Sequence, residues 1–335
     1  MTIKDISALT GYSVGTVSRV LNDQPNVSEK ARKAILDVVN AQGFQLNENA
    51  KQLKQQKATS ILVSVKGTSN ELFGRLLEQL QARVADKPYP LIVDYLDEDE
   101  NEVLRALRLC REKKPLGILF LGGNLENFRR DFDRIGLPCV LITGNASQLQ
   151  LAHLSSITTD DYQAGYMAVR HLAELGHKSI AVIGGSREVS DISRLRSEGC
   201  MAACREFGIT YDPKQDYFTG RFSYAEGYQA VKTFLERGRK FTAIFAMADV
   251  MAIGAVRALQ DCGLKVPGDV SVMGMDGLAI GDYTVPTLTT VRQSVEELAD
   301  RSVQILFRQL QEGAAPCHET IPPAVTHKES TQNIG

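Results

Sequence analysis

MTIKDISALTGYSVGTVSRVLN, residues 1–22, is the stretch from which the organisation of the chain follows. Ile3, Ile6 and Leu9 recur at helical spacing, which predicts a short helix over residues 2–9 with one apolar stripe. Gly11 follows where the chain must turn sharply, and a residue without Cβ takes a positive φ there cheaply. Ser13 is placed to cap a second helix, whose Val17, Val20 and Leu21 would face inward. Two short helices joined by a glycine-bearing turn form a helix-turn-helix, which can set its second helix in the DNA major groove. Ser7 and Val17, on either side of Gly11, suit a tight crossing of the pair. Val14, Gly15, Thr16, Ser18 and Arg19 are then left on the outward face. An ordinary helical hairpin would share this pattern, so the rest of the chain has to decide.

With 335 residues the chain has room for two or three domains with real cores. The net charge is −2, but it is unevenly spread. Residues 1–57 carry eight Lys and Arg against five Asp and Glu, and the remainder carries 30 against 35. That asymmetry suits a small DNA-binding head on a body that does not bind nucleic acid. No run approaches the ~18 apolar residues of a membrane span. Asp5 stands where a signal peptide would begin its apolar core, so the expectation is a cytoplasmic chain without a membrane partner. The cysteines have no CxxC spacing; Cys200 and Cys204 share a predicted helix face without His or further Cys nearby, as buried thiols do. His153, His171, His177, His318 and His327 show no metal spacing, and His171 and His177 read as structural residues at a helix end. The glycine-bearing turn at Ile183–Ser186 is neither GxGxxG nor a P-loop. No nucleophile–base pair stands out. The chain is not read as an enzyme, and no catalytic residue, metal or cofactor is expected.

A third helix is predicted from about Ser28 to Ala41, capped by Ser28, with Ala31, Ile35, Val38 and Val39 inward and Gly43 ending it. Residues 45–58, QLNENAKQLKQQKA, are polar, and by composition alone read as a linker. Leu53, between Lys51 and Lys54, is the exception. A segment that folds only on DNA could push such a leucine between base steps while lysines hold phosphates. TIKDISALTGYSVGTVSRVLN, NVSEKARKAIL and NENAKQLKQQK together resemble the head and hinge of the lactose-repressor (LacI/GalR) family. The resemblance implies that Val14 and Gly15 occupy the variable base-reading positions and that Arg19 reaches a guanine edge. It puts Thr2, Ser13, Thr16, Ser18 and Asn22 at phosphate contacts. It makes Leu53 the wedge that paired hinge helices insert into the minor groove, with Lys54 beside it. Val14 and Gly15 are too small for bidentate bonds, so base contact there would be apolar and Arg19 the main direct reader.

Beyond Thr59, β-branched runs alternate with amphipathic helices. Strands are predicted at 61–65, 91–95, 117–121, 139–142, 179–184, 216–219, 243–246 and 270–275. Helices are predicted at 71–84, 100–112, 125–135, 163–175, 195–207, 224–237 and 250–262. This alternation implies two parallel α/β sheets in tandem, with a ligand cleft between lobes at the strands' carboxyl ends. The fold expected is thus multi-domain. An all-α helix-turn-helix head (1–46) and a hinge helix (47–58) precede a two-lobed body (59–335) like the periplasmic sugar-binding proteins. Lobe 1 is expected over about 59–157 and 287–317, and lobe 2 over about 158–286 and 318–330.

Matching the family's motifs names the pocket. In TTDDYQAG the resemblance points Asp160 into the cleft, although a helix cap reads nearly as well. In ISRLRSEG it makes Arg196 the fork onto sugar hydroxyls, and in GRFSYAEGY it makes Phe222 the stacking aromatic. In VSVMGMDG it places Asp276 at a strand end to accept ligand hydroxyls, and Ser69, Asn70 and Phe73, which follow the first strand of the body, are expected to touch the ligand from lobe 1. The chain departs from the family at Ala248-Asp249, where Asn-Asp is common, at Gly277, where a second Asp is usual, and at GTSNELF, in place of Asn-Pro-Phe-Phe. The implied protein is a homodimeric regulator, a repressor in the first instance. It would bind a pseudo-palindromic operator in double-stranded DNA under control of a small-molecule effector, a sugar or sugar derivative. The rival reading is a sugar-binding protein without DNA regulation.

Overall fold

Thr2 opens the first helix with a reciprocal cap. Its hydroxyl accepts the Asp5 N–H at 3.3 Å, and the Asp5 carboxylate accepts the Thr2 N–H at 2.7 Å. The structure is a computed structural model that describes residues 2–21, 27–42, 59–67 and 70–335, and the chain divides into two units, 1–57 and 58–335. In the first unit α1 (Ile3–Thr10) ends at Gly11, whose φ of 73° lets its N–H close on the Ser7 carbonyl at 2.9 Å. Ser13 caps α2 (Val14–Leu21) by accepting the Thr16 N–H at 3.2 Å, and Ser28 caps α3 (Glu29–Ala41). Ile6, Val17, Val20 and Ile35 form the buried centre, with Val38 and Val39 partly buried around it. Leu9, expected on the inner stripe, is 60% exposed, because an eight-residue helix against so small a core has room for little more than one buried turn. Gly43 and the expected hinge, 47–58, lie outside the described residues.

The second unit holds two six-stranded sheets among its described residues. The first contains β1 (Ile61–Lys66), β2 (Leu91–Leu96), β3 (Gly117–Leu121), β4 (Cys139–Ile142) and β5 (Leu154–Thr159), and is completed by β11 (His318–Ile321). Its order is β11-β5-β4-β3-β1-β2, and every pairing is parallel. The second contains β6 (Ile180–Gly184), β7 (Tyr217–Thr219), β8 (Ala243–Ala246), β9 (Ser271–Asp276) and β10 (Thr289–Arg292), with β12 (Ala324–Thr326) antiparallel at its edge. Its order, β12-β10-β9-β8-β6-β7, repeats the plan of the first. Both therefore reverse strand order beside their opening strand, between β1 and β3 and between β6 and β8, where doubly wound sheets leave a crevice. The connecting helices are α4 (Glu71–Val84), α5 (Glu102–Lys113), α6 (Leu125–Asp131), α7 (Asp161–Glu174), α8 (Asp191–Glu206), α9 (Tyr224–Glu236), α10 (Asp249–Asp261) and α11 (Val295–Glu312).

The structure corrects the sequence reading in four places. The helix expected over 125–135 stops at Asp131 and tightens into a 3₁₀ turn, Phe132–Arg134. The helix expected from Leu195 starts at Asp191, because Ser190 caps it by accepting the Ser193 N–H. The strands β5, β10, β11 and β12 and the helix α11 were absent from the expected series. The lobe boundaries shift with them. Thr289–Arg292, expected in lobe 1, pairs with β9 in lobe 2, and His318–Ile321, expected in lobe 2, pairs with β5 in lobe 1. The chain thus crosses between lobes after β5, after β10 and after β11.

Candidate functional site

On the head, α2 buries Val17 and Val20 and turns the rest of its surface outward. Val14, Gly15 and Arg19 are exposed, and Thr16 and Ser18 are half-buried. The Thr2 and Ser13 hydroxyls, expected at phosphates, serve as caps in the structure. A hydroxyl that accepts an N–H keeps its own proton, so the Thr2 side chain still has one to donate. Asn22, Leu53 and Lys54 lie outside the described residues.

In the body, a cavity of about 560 Å³ opens at the strand ends beside both order reversals. Lys66 at the end of β1, Gly122 and Gly123 after β3, Gly185 and Ser186 after β6, and Met247 and Ala248 after β8 line it. Leu72 and Phe73 wall it from lobe 1, and Ile192, Phe222 and Leu278 from lobe 2. Asn70, Phe73, Arg196, Phe222 and Asp276 all line this cavity. Asn70 also caps α4, accepting the Leu72 and Phe73 N–H groups at 3.0 and 3.4 Å. Ser69 lies outside the described residues. Asp160 is a correction: it caps α7 by accepting the Gln163 N–H at 2.9 Å and does not line the cavity. The carboxylate that reaches inward is that of its neighbour, Asp161.

Arg196 is 5% exposed and tightly held. Its Nε donates to Asp161 Oδ1 at 2.9 Å and its Nη1 to the Met247 carbonyl at 2.7 Å, while Nη2 has no partner among the described residues. Asp276 ends β9 with a φ of 123°, a region that side-chain-bearing residues rarely occupy and that costs of order 1–3 kcal/mol. Its Oδ1 accepts from Gln293 Nε2 at 2.8 Å, and Gln293 Oε1 accepts from Thr159 Oγ1 at 2.8 Å. Behind it, Asp249 is fully buried and accepts the Leu278 N–H and the Thr290 hydroxyl, each at 2.7 Å. Burial pushes the Asp249 carboxyl up to about 8, and repulsion from Asp276 adds to the rise. Burial also lifts Asp276, to about 6, against the pull of the Arg196 guanidinium and the Gln293 bond. Near neutral pH this pair keeps a proton.

The lobes also touch across the cleft. Arg75 Nη1 donates to the Gly277 carbonyl at 2.9 Å, Arg221 pairs with Asp99, and the Tyr224 hydroxyl donates to Glu71. Asp161, Gln293 and the cavity-lining Thr143 escaped the sequence reading, and Asp249 entered it only within a departure from the family's Asn-Asp. A buried arginine needs a carboxylate, so TTDD could have suggested Asp161 once Arg196 was placed. Nothing local marks Gln293 or Thr143. His177, read as structural, is buried with Thr242 and Ser271 hydroxyls at 2.9 and 3.0 Å from its two ring nitrogens.

Residues 2–47 match the model of bacterial regulatory proteins of the lacI family, and residues 169–331 match the periplasmic binding protein-like domain. The HTH-type transcriptional regulator MalR of Clostridium butyricum is 32% identical over 339 residues, covering 100% of both chains. A sugar-binding transcriptional regulator of Escherichia coli, solved in complex with phosphate, superposes with a TM-score of 0.69 at 28% identity. The match covers 83% of this chain and 100% of that one. The lac repressor dimer bound to operator and the anti-inducer ONPF shares the fold, with a TM-score of 0.73 at 23% identity over 99% of each chain. Among the described residues no helix is long and apolar enough to cross a membrane.

Proposed function

The chain belongs to the LacI family of bacterial transcriptional regulators, and from that premise we propose that it is a repressor that binds a pseudo-palindromic operator as a homodimer and answers to a sugar-like effector in its interlobe cleft. One observation carries this reading. A single chain joins a helix-turn-helix that leaves Val14, Gly15 and Arg19 outward to a cavity with apolar walls and a polar floor built on Arg196 and Asp276. One head offers few base contacts, so two on a two-fold site are needed for specificity. Arg19 is the guanine reader, Val14 meets thymine methyls, and Thr2, Ser13, Thr16, Ser18 and Asn22 hold phosphates. Leu53 of each subunit wedges the central base step, with Lys54 on the flanking backbone.

In the cleft, the free Nη2 of Arg196 donates to a ligand hydroxyl and Asp276 accepts from one, while Phe222 stacks on the apolar face of a ring. The relative from Escherichia coli, described as sugar-binding, supports that class of ligand. Effector would change the angle between lobes and so the spacing of the paired hinges, and hinges that cannot pair cannot insert Leu53. The dimer reading also has support on the surface of lobe 2, where Tyr283 and Val285 are 82% and 84% exposed, close to Ile280.

The test is selection of binding sites from random duplex DNA by the full chain, repeated with Leu53→Ala. A pseudo-palindrome with a deformable pyrimidine–purine step at its centre is expected, with Leu53→Ala weakening binding to it by about tenfold or more. A motif that Leu53→Ala binds unchanged would overturn the wedge. Selection of no motif would leave a small-molecule binding protein without DNA regulation.

A further inference from the structure

The cations that line the cleft are already committed. Lys66 Nζ lies 2.5 Å from Glu102, Arg196 Nε lies 2.9 Å from Asp161, and Arg221 pairs with Asp99. Four carboxylates on the same lining form no ion pair among the described residues: Glu71, Glu98, Glu226 and Asp276. Glu71 accepts the Tyr224 hydroxyl and Asp276 the Gln293 amide, whereas Glu98 and Glu226 accept no bond at all among the described residues. Burial raises the Glu98 carboxyl despite the nearby Arg221 and Lys66, as befits a group half-withdrawn from water. A second, independent feature points to a ligand. Thr143 is 6% exposed and lines the cavity at a φ of 70°, and its hydroxyl has no hydrogen-bond partner among the described residues. A buried, unpaired hydroxyl costs stability, and one beside a cavity is satisfied when a hydroxylated ligand enters.

We infer that this cleft takes an uncharged or amine-bearing polyol and rejects phosphorylated and carboxylated sugars. The inference rests on the effector reading above. A phosphate entering the cavity would meet Glu71, Glu98, Glu226 and Asp276, none of them in an ion pair among the described residues, and no cation that is not already paired with a carboxylate, and like charges facing each other are a strong negative selector. Ring hydroxyls meet acceptors in Asp276, Glu98 and Glu226 and donors in Arg196 Nη2 and Thr143. An ammonium in place of one hydroxyl gains from the same field.

The experiment uses the full chain and matched neutral, 2-amino and 6-phosphate forms of common hexoses, with inorganic phosphate as a further probe. Binding is read by calorimetry and by thermal shift at constant ionic strength. Neutral or amino forms are expected to bind, and any phosphate form of a binder to be weaker by about a hundredfold or more. Inorganic phosphate should stabilise the protein no more than chloride does. Replacing both Glu98→Gln and Glu226→Gln should shrink the discrimination against the phosphate form at least about tenfold. Glu98→Gln alone should raise the apo Tm at pH 7.5, and that gain should shrink as pH falls and the wild-type carboxyl takes up its proton.

Binding of a sugar phosphate or of inorganic phosphate by the wild type, lost in Arg196→Lys, overturns the inference; so does an apo Tm that Glu98→Gln leaves unchanged. If such a phosphate ligand also shifts operator affinity, only the charge rule fails and the effector reading stands. Absence of binding by every class, with operator affinity unmoved by all of them, removes the effector reading and this inference with it.

Discussion

Asp249 and Asp276 lie at the end of the cleft as two buried carboxyls with one guanidinium, Arg196, near them and already paired to a third, Asp161. A carboxyl whose native pKa is raised holds a proton that the unfolded chain has released, so its contribution to stability runs in the less familiar direction. For Asp249, raised from an ordinary 3.8 to about 8, that contribution is full below pH 4 and lost as pH climbs through about 8. Asp249→Asn does not titrate. Its amide oxygen can still accept the Leu278 N–H, and the Thr290 hydroxyl can accept from the amide by turning its own proton to the Val291 carbonyl, 3.4 Å away. Urea melts between pH 5 and pH 9 are therefore expected to show the wild type losing stability relative to Asp249→Asn. The relative loss should reach several kcal/mol by pH 9, since each of the roughly three units of pH between 5 and 8 is worth about 1.4 kcal/mol. Parallel curves would mean that Asp249 is ionised throughout. At this scale the sequence was partly legible. Arg196, Phe222 and Asp276 stood in motifs, but Asp160 and Asp161 are adjacent acids, and which one points inward depends on where α7 begins. The cap at Asp160 settles it, by sending the next side chain to Arg196.

Two helices of lobe 2 meet so closely that their glycines are structural requirements. A Cβ at Gly165 on α7 would stand 2.0 Å from the Arg196 carbonyl oxygen on α8, and one at Gly199 would stand 2.0 Å from the Tyr162 oxygen. Each helix thus presses its glycine against the other's backbone, and that contact fixes the height of Arg196 over the cleft. Gly165→Ala is expected to cost at least about 1–3 kcal/mol, the range for overpacking, and to weaken effector binding by moving Arg196. The same substitution at Gly74, mid-helix in α4 with open space around its Cβ position, should instead stabilise by about 0.5–1 kcal/mol. Thermal melts of the two variants, with opposite signs, check the pair; equal signs would contradict the packing account. Helices such as α4 and strands such as β3 and β4 had been legible to the residue, because their apolar periodicity is local and bounded by caps and turns. The crossings were not. β10 and β11 are four residues each, and each is assigned to its lobe by pairing with β9 and β5, which no short window of sequence encodes.

At the scale of the whole molecule the proposed regulation has to work with a head whose core is small. Binding free energy grows with the number of heads engaged at once, so the assembly state sets operator affinity before any effector acts. The second lobe presents Tyr283, Val285 and Ile280 to solvent in one short segment, beside a Lys328–Asp282 pair. An apolar segment so exposed belongs at a covered surface, and if the chain reads a two-fold operator, as proposed, the natural cover is the same segment of a second copy. Replacing Tyr283→Asp together with Val285→Asp puts two like charges on that surface, which on association would face their counterparts across the two-fold axis. Both side chains are already in water in the single chain, so the fold should lose little, and its Tm and effector binding should stay within the range of an ordinary surface change, about 0.5 kcal/mol. Sedimentation equilibrium should show the mass of the double variant falling to that of one chain. Affinity for the selected operator should fall at least about a hundredfold, as linked heads become separate ones. A double variant that sediments as a dimer and holds its operator would move the dimer surface away from this segment.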